Sequence, residues 1–271
     1  MSYRDYLNHE RLPHKWCSGC GHGLCLSAIA RACDAIGLDK NNAVTVSGIG
    51  CWSWADSYLD LNSLHTTHGR PIAFATGVKI AKPELTVLVT SGDGDAATIG
   101  GNHLIHAARR NVDITLIVSN NYIYGMTGGQ YSSTTTTGAV TQTSSFGHVE
   151  RPLDVCAVAG AAGATYVARG ICDNVLQNAK LIEGGMKHKG FALIELLSPC
   201  PTHYGRNNNL RRMSDGVKFL HANSYPAAAA DKLSEEQKAG KFPVGKLVEI
   251  QGVDDYSSAY AGIIAKAQEA M

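Results

Sequence analysis

Two β-rich apolar runs, LTVLVTSGDG at 85–94 and DITLIVSNN at 113–121, are separated by one stretch of helical period at 98–110. That order leaves few topologies open, because a right-handed crossover helix lays consecutive parallel strands side by side. The alternation recurs along the chain. AVTVSGIG (43–50), ATYVARG (164–170) and FALIELLSPC (191–200) read as further strands entering loops. Residues 22–36, 152–161 and 172–188 carry apolar residues at helical spacing. The predicted fold class is α/β, a parallel sheet with helices on both faces. At 271 residues and 44% hydrophobic, the chain can bury such a core as one large domain. Residues 1–200 are expected to form it. Residues 201–271 read as a C-terminal extension packed on the domain or on a partner, with polar loops, an Ala-rich run at 227–230 and a last helix near 256–270.

Ligands of such sheets gather at the carboxyl ends of the strands. GDGD (92–95) ends one strand, and Asn121, 28 residues after Asp93, ends the next. The two side chains should emerge at one edge, close enough to share a cation. One carboxylate, one amide oxygen and a backbone carbonyl suit Mg²⁺, which often completes its shell with phosphate oxygens. Gly92 and Gly94 let the backbone approach those phosphates, and the loop YGMTGGQ (124–130) adds donors for an anion. TTTT at 134–137 reads as a polar loop.

The segment WCSGCGHG (16–23) opens a separate question, since a Cys-x-x-Cys pair serves disulfides, redox pairs, zinc and iron–sulfur sites alike. Cys51 follows the strand at 43–50 and Cys200 the strand at 191–197, so both lie at the edge of Asp93 and Asn121. Four thiolates converging from three chain regions can hold one [4Fe–4S] cluster. A Cys₄ zinc site is the main rival. A thioredoxin-like pair is disfavoured, because no strand leads directly into this motif. Cys25, Cys33, Cys156 and Cys172 read as small buried hydrophobes. His22 and the other scattered histidines read as structural or surface residues, and Arg109–Arg110 as the charged end of a helix.

Charge and hydropathy remove other classes. A formal net charge of +1 makes no electrostatic case for nucleic acid or an anionic membrane. No apolar run reaches bilayer length, and MSYRDYLNHERLPHKW lacks the apolar core of a signal peptide. The expected compartment is the cytoplasm, where eight cysteines are reduced or metal-bound rather than paired.

GDG followed by NN at this spacing resembles the thiamine diphosphate motif. The ordered set WCSGCGHG, GIGC, LHTTHGR, ATGVKIAKPEL, GDGD, HAARRNVDITLIVSNNYIYGMTGGQ and LLSPCPTH resembles the β subunit of 2-oxoacid:ferredoxin oxidoreductases, with the 2-oxoglutarate type nearest. The resemblance implies the diphosphate-binding module of the thiamine diphosphate fold. It implies Mg²⁺ on Asp93, Asn121 and the carbonyl of Ile123, and a [4Fe–4S] cluster on Cys17, Cys20, Cys51 and Cys200. It matches Ile49, Gly50, Cys51, Trp52, His68, Gly94, Asp95, Gly125 and Met126 to positions lining thiamine diphosphate. The implied reaction turns 2-oxoglutarate and coenzyme A into succinyl-CoA and CO₂, with ferredoxin taking the electrons.

In that family the Glu that tautomerises the aminopyrimidine sits on a separate module. An α (or α/γ-fused) subunit is therefore implied as partner, and the chain should be inactive alone. Arg70 either grips a substrate carboxylate or steadies its own loop. Trp52-Ser53-Trp54 carries no cation where some relatives place a Lys, so a second substrate carboxylate would need Arg70 or another chain. Alternatives are a pyruvate or branched-chain 2-oxoacid enzyme, and a zinc-stabilised phosphate-binding protein without chemistry.

Overall fold

The structure is a computed structural model that describes residues 2–270. After two short 3₁₀ turns come α1 (His22–Ala35), β1 (Ala43–Ser47), α2 (Ala55–Tyr58) and β2 (Asn62–His65). α3 (Pro71–Ala81), β3 (Thr86–Gly92), α4 (Gly101–Arg109) and β4 (Thr115–Asn120) follow. Next are α5 (Val155–Ala161), β5 (Tyr166–Ile171), α6 (Val175–Lys187) and β6 (Ala192–Leu197). The remainder forms α7 (Met213–Ala222), β7 (Ser224–Pro226), α8 (Glu235–Lys238), β8 (Phe242–Glu249) and α9 (Tyr256–Glu269).

Among the described residues, eight strands make one sheet in the order β2-β1-β3-β4-β6-β5-β8-β7. β2 through β5 in that order run parallel, and β3 and β4 are direct neighbours with Gly92 opposite Ser119. Alternate residues of the central strands feed two cores. Leu88, Ile117 and Ile194 pack with Ile29 of α1 and Ile182 of α6. Val87, Val89, Leu116 and Val118 pack with Ile72 of α3, Leu104 of α4 and Val155 of α5. Helices therefore cover both faces, and the carboxyl ends of β1, β3, β4 and β6 stand along one edge.

Two features depart from the reading of the sequence. β2 and α3 add a strand at the sheet's edge and a helix starting on Pro71, whose fixed φ and missing N–H suit a first helical position. More consequentially, residues 201–271 are not only an extension. β8 enters the sheet antiparallel to β5, pairing Tyr166 with Glu249 and Arg169 with Gly245. The sheet is thus parallel except at this junction. α9 is exposed along most of its length. No helix among the described residues is long and apolar enough to cross a membrane.

The β5–β6 region is tied by a buried charge network. Arg169 Nε donates to Glu195 Oε2 at 2.6 Å, and Nη2 donates to Asp154 Oδ1 at 2.5 Å. Asp154, Cys156 and Glu195 bring their ligand atoms within 4.8 Å of one another, but the guanidinium already bridges the two carboxylates. Arg169→Leu should destabilise the protein by about 3–5 kcal/mol, because it leaves the buried Glu195 carboxyl without its oppositely charged partner. The midpoint of urea unfolding reads this directly; an unchanged midpoint refutes it.

Candidate active site

β3 and β4 end on the two residues the spacing singled out. Asp93 follows Gly92, and Asn121 follows Asn120. The Asn121 N–H donates to Asp93 Oδ1 at 3.2 Å, so adjacent strand ends are locked together where a shared cation would sit. Asp93 Oδ2 accepts from Ser132 Oγ at 2.5 Å and from Thr134 Oγ1 at 2.6 Å. Oδ1, with one donor, retains acceptor capacity. Burial pushes the Asp93 carboxyl above its ordinary range even against these hydrogen bonds. A divalent cation is the group such a buried carboxylate lacks, and the site fits one.

Ser132 and Thr134 were not singled out as site residues. Thr134 Oγ1 also lies 3.0 Å from Asn120 Oδ1, and Thr135 Oγ1 donates to the Tyr122 carbonyl at 2.6 Å. The threonine loop thus straps the strand end. It holds Tyr122 in the left-handed region, at φ 66°, a conformation worth about 1–3 kcal/mol of strain for a bulky residue. Such strain between Asn121 and Ile123 marks a turn the surroundings impose.

Asp95 has a second job besides the lining role expected of it. Its carboxylate is buried and accepts from the N–H of Gly69 at 2.6 Å, the N–H of Ile49 at 3.3 Å and Ser91 Oγ at 2.5 Å. His68 Nδ1 lies 2.5 Å from Asp95 Oδ1. A carboxylate only accepts, so His68 donates through Nδ1 and a neutral ring keeps Nε2 as an acceptor. Asp95 therefore pins the loops after β1 and β2 together. A Cβ on Gly48 would stand 2.1 Å from Asp95 Oδ2. Gly48→Ala should displace this carboxylate and weaken binding of thiamine diphosphate about 10- to 100-fold, the range seen when a ligand's supporting partner is lost. Calorimetric titration measures it, and wild-type affinity in the variant would refute the role given to Asp95.

Ile49, Gly50, Cys51, Trp52, His68, Gly94, Asp95, Gly125 and Met126 line one cavity of about 40 Å³ with Asp93, Asn121 and Ile123. Tyr124 and Thr127 join them. Arg70 is not among the lining residues; it is exposed, caps α3, and donates to the Gly69 carbonyl at 3.2 Å.

Cys17, Cys20, Cys51 and Cys200 line a second cavity, of about 160 Å³, beside the first. Cys51, Asn121 and Met126 line both. The join is tight: a Cβ on Gly125 would lie 3.6 Å from Cys200 Sγ, 3.7 Å from Cys51 Sγ and 3.8 Å from Asn121 Nδ2. The Cys200 N–H also donates to the Asn121 carbonyl at 3.2 Å. Burial pushes the Cys20 and Cys51 thiols up to about 11, the His22 backbone N–H partly opposing this at Cys20, and the His203 backbone N–H donates to Cys200 Sγ at 3.5 Å. Gly21, at φ 82°, lets the Cys17–Cys20 loop turn into α1; a Cβ there would meet Ser198 Oγ at 2.5 Å and Cys172 Sγ at 2.9 Å. Thiols that are partly sheltered, met by N–H donors and gathered on one cavity fit a sulfur-liganded metal group.

The two indoles after Cys51 part company. Trp52 is fully buried and donates to the Ile117 carbonyl at 3.0 Å. Trp54 is part-exposed, with Lys15 Nζ 5.3 Å from its ring centroid. A cation does reach this loop, supplied by the segment before Cys17.

Residues 48–196 match the family described as thiamine pyrophosphate enzyme, C-terminal TPP binding domain. The chain is 50% identical over 246 residues to the 2-oxoglutarate synthase subunit KorB of Methanocaldococcus jannaschii, covering 91% of each chain. It is 43% identical over 190 residues to the 2-oxoacid:ferredoxin oxidoreductase subunit beta of Saccharolobus solfataricus, covering 69% of this chain and 62% of that one. Among solved structures it is similar to the 2-oxoglutarate:ferredoxin oxidoreductase of Magnetococcus marinus, a structure with 2-oxoglutarate, coenzyme A and succinyl-CoA bound. That similarity has a TM-score of 0.88 at 35% identity and covers 99% of this chain and 91% of the other. With this sheet edge and these relatives, the chain belongs to the thiamine pyrophosphate-binding β subunits of the 2-oxoacid:ferredoxin oxidoreductases.

Proposed function

We infer that this chain is the β subunit of a 2-oxoglutarate:ferredoxin oxidoreductase, forming succinyl-CoA and CO₂ from 2-oxoglutarate and coenzyme A while reducing ferredoxin. The observation that carries the redox part is the shared wall: Cys51, Asn121 and Met126 belong to both the diphosphate cavity and the thiol cavity. Thiamine diphosphate bound here supplies the electron sink for decarboxylating a 2-oxoacid, and an iron–sulfur cluster supplies a one-electron acceptor beside it.

The chain's own residues do the placing. Asp93, Asn121 and the Ile123 carbonyl hold Mg²⁺. Asp95 fixes His68 and the Ile49–Gly50 turn against the cofactor. Cys17, Cys20, Cys51 and Cys200 hold the cluster, and Cys51 brings it to the cofactor's side. Tetrahedral zinc at about 2.3 Å would need sulfurs roughly 3.8 Å apart. Four thiols brought from three separate segments onto one cavity suit the larger [4Fe–4S] group.

A cavity of about 40 Å³ is far below the ~300–1,000 Å³ that encloses a cofactor-sized ligand. One wall of a shared site has this form, and an α subunit bearing the activating Glu supplies the other. The test is the complex coexpressed with its α subunit, purified anaerobically and assayed with coenzyme A, a viologen and several 2-oxoacids. The highest kcat/KM is expected for 2-oxoglutarate, with none for the β chain alone. A preference for pyruvate or a branched-chain 2-oxoacid overturns the substrate assignment. An iron-free, zinc-loaded protein overturns the redox role.

A further inference from the structure

We propose that His22 donates a ring hydrogen bond to the sulfurs of the cluster held by Cys17, Cys20, Cys51 and Cys200, and thereby raises its reduction potential. The proposal rests on the cluster reading above. His22 lines the thiol cavity, and its side chain is almost wholly enclosed, at 2% exposure. Both ring nitrogens are buried, and neither has a hydrogen-bond partner. The other buried histidines of the described residues, His148 and His188, each leave one nitrogen in that state.

Leaving a buried donor unmet is unfavourable, whereas an apolar ring of the same shape carries no such penalty. A buried ring donor without a partner calls for an acceptor in the cavity it lines. An imidazole carries one N–H donor when neutral and two when protonated, so the ring offers a donor in either form. Its setting is rigid. Trp16 meets it edge-on at 5.4 Å between centroids, and Trp52 lies at 5.3 Å. Both indoles are themselves anchored, Trp16 Nε1 on the Cys51 carbonyl at 2.6 Å and Trp52 Nε1 on the Ile117 carbonyl. Hydrogen bonds to cluster sulfurs stabilise the more electron-rich reduced state and are one of the main settings of cluster potential.

The test compares His22→Phe and His22→Gln with the wild type in the anaerobic αβ complex, by redox titration followed by electron paramagnetic resonance. His22→Phe should keep four irons per β chain, while its oxidised-to-reduced ratio at fixed potential rises about tenfold, a midpoint ~59 mV more negative for one electron. His22→Gln keeps an N–H donor and should stay within about threefold of wild type in the same ratio. A fully loaded His22→Phe with an unchanged midpoint overturns the proposal. Should that variant fail to hold iron, the wild type decides: ring-¹⁵N histidine should show nitrogen coupling to the reduced cluster, and its absence overturns the proposal. A wild-type complex that contains no iron instead overturns the cluster reading, which separates the two failures.

Discussion

Cys200→Ser in the assembled αβ enzyme should abolish the paramagnetic signal of a reduced cluster and cut viologen reduction more than about 100-fold. A serine nearly matches the cysteine in size, and Cys200 is only partly buried, so little packing is lost. Its N–H still donates to the Asn121 carbonyl. Thiamine diphosphate should therefore bind within about threefold of wild type, since the interactions made by the diphosphate end are untouched. That combination, cofactor retained and electrons stranded, distinguishes a ligand from a residue that merely supports the loop. A variant that keeps four irons and full viologen reduction removes Cys200 from the ligand set.

Asp93→Asn should have the opposite profile. Mg²⁺-dependent binding of thiamine diphosphate should fall by more than about 100-fold, because the proposed role makes Asp93 a direct ligand rather than a supporting partner. The folded chain without cofactor should change little in stability, because an amide is cheaper to bury than a carboxylate and keeps one oxygen for the hydroxyl donors. pH gives an independent handle. Burial raises Asp93 above the ordinary value of 3.8, so its stabilising contribution is full below that value and is lost as pH rises through the raised one. Metal binding requires the ionised form, so Mg²⁺ affinity should climb over the same window with release of a proton. Unfolding and Mg²⁺ titrations across pH read the two slopes, and both should vanish in Asp93→Asn. If Mg²⁺ affinity in the wild type is flat through the acid range, Asp93 is not a ligand.

The parts legible in the sequence are those with short, local signatures. GDG and NN sit immediately after apolar strands, so their edge follows from strand direction alone. Cys51 and Cys200 were placed by the same logic. Ser132 and Thr134 were not legible, because a polar loop 39 residues beyond Asp93 carries no local sign of which carboxylate its hydroxyls will meet. His22 looked like one more scattered histidine until Trp16 and Trp52 closed around it. Lys15 could not be assigned to the Trp54 loop, since 39 residues separate them in the chain. β8 was hidden for a different reason. FPVGKLVE holds a proline and a glycine and is half-exposed, so it shows neither the continuous apolar run of a buried strand nor a clean alternation.

The pairing of β8 with β5 also bears on how the polypeptide is made. While a ribosome has released only the first two hundred or so residues, the outer rim of β5 from Tyr166 to Arg169 offers bare backbone donors and acceptors, because its antiparallel neighbour, Gly245 to Glu249, has yet to be synthesised. Unprotected rims of this kind recruit strands from other molecules. A chain cut before β8 would keep that rim bare, and is expected to aggregate more readily than the full chain in light-scattering measurements.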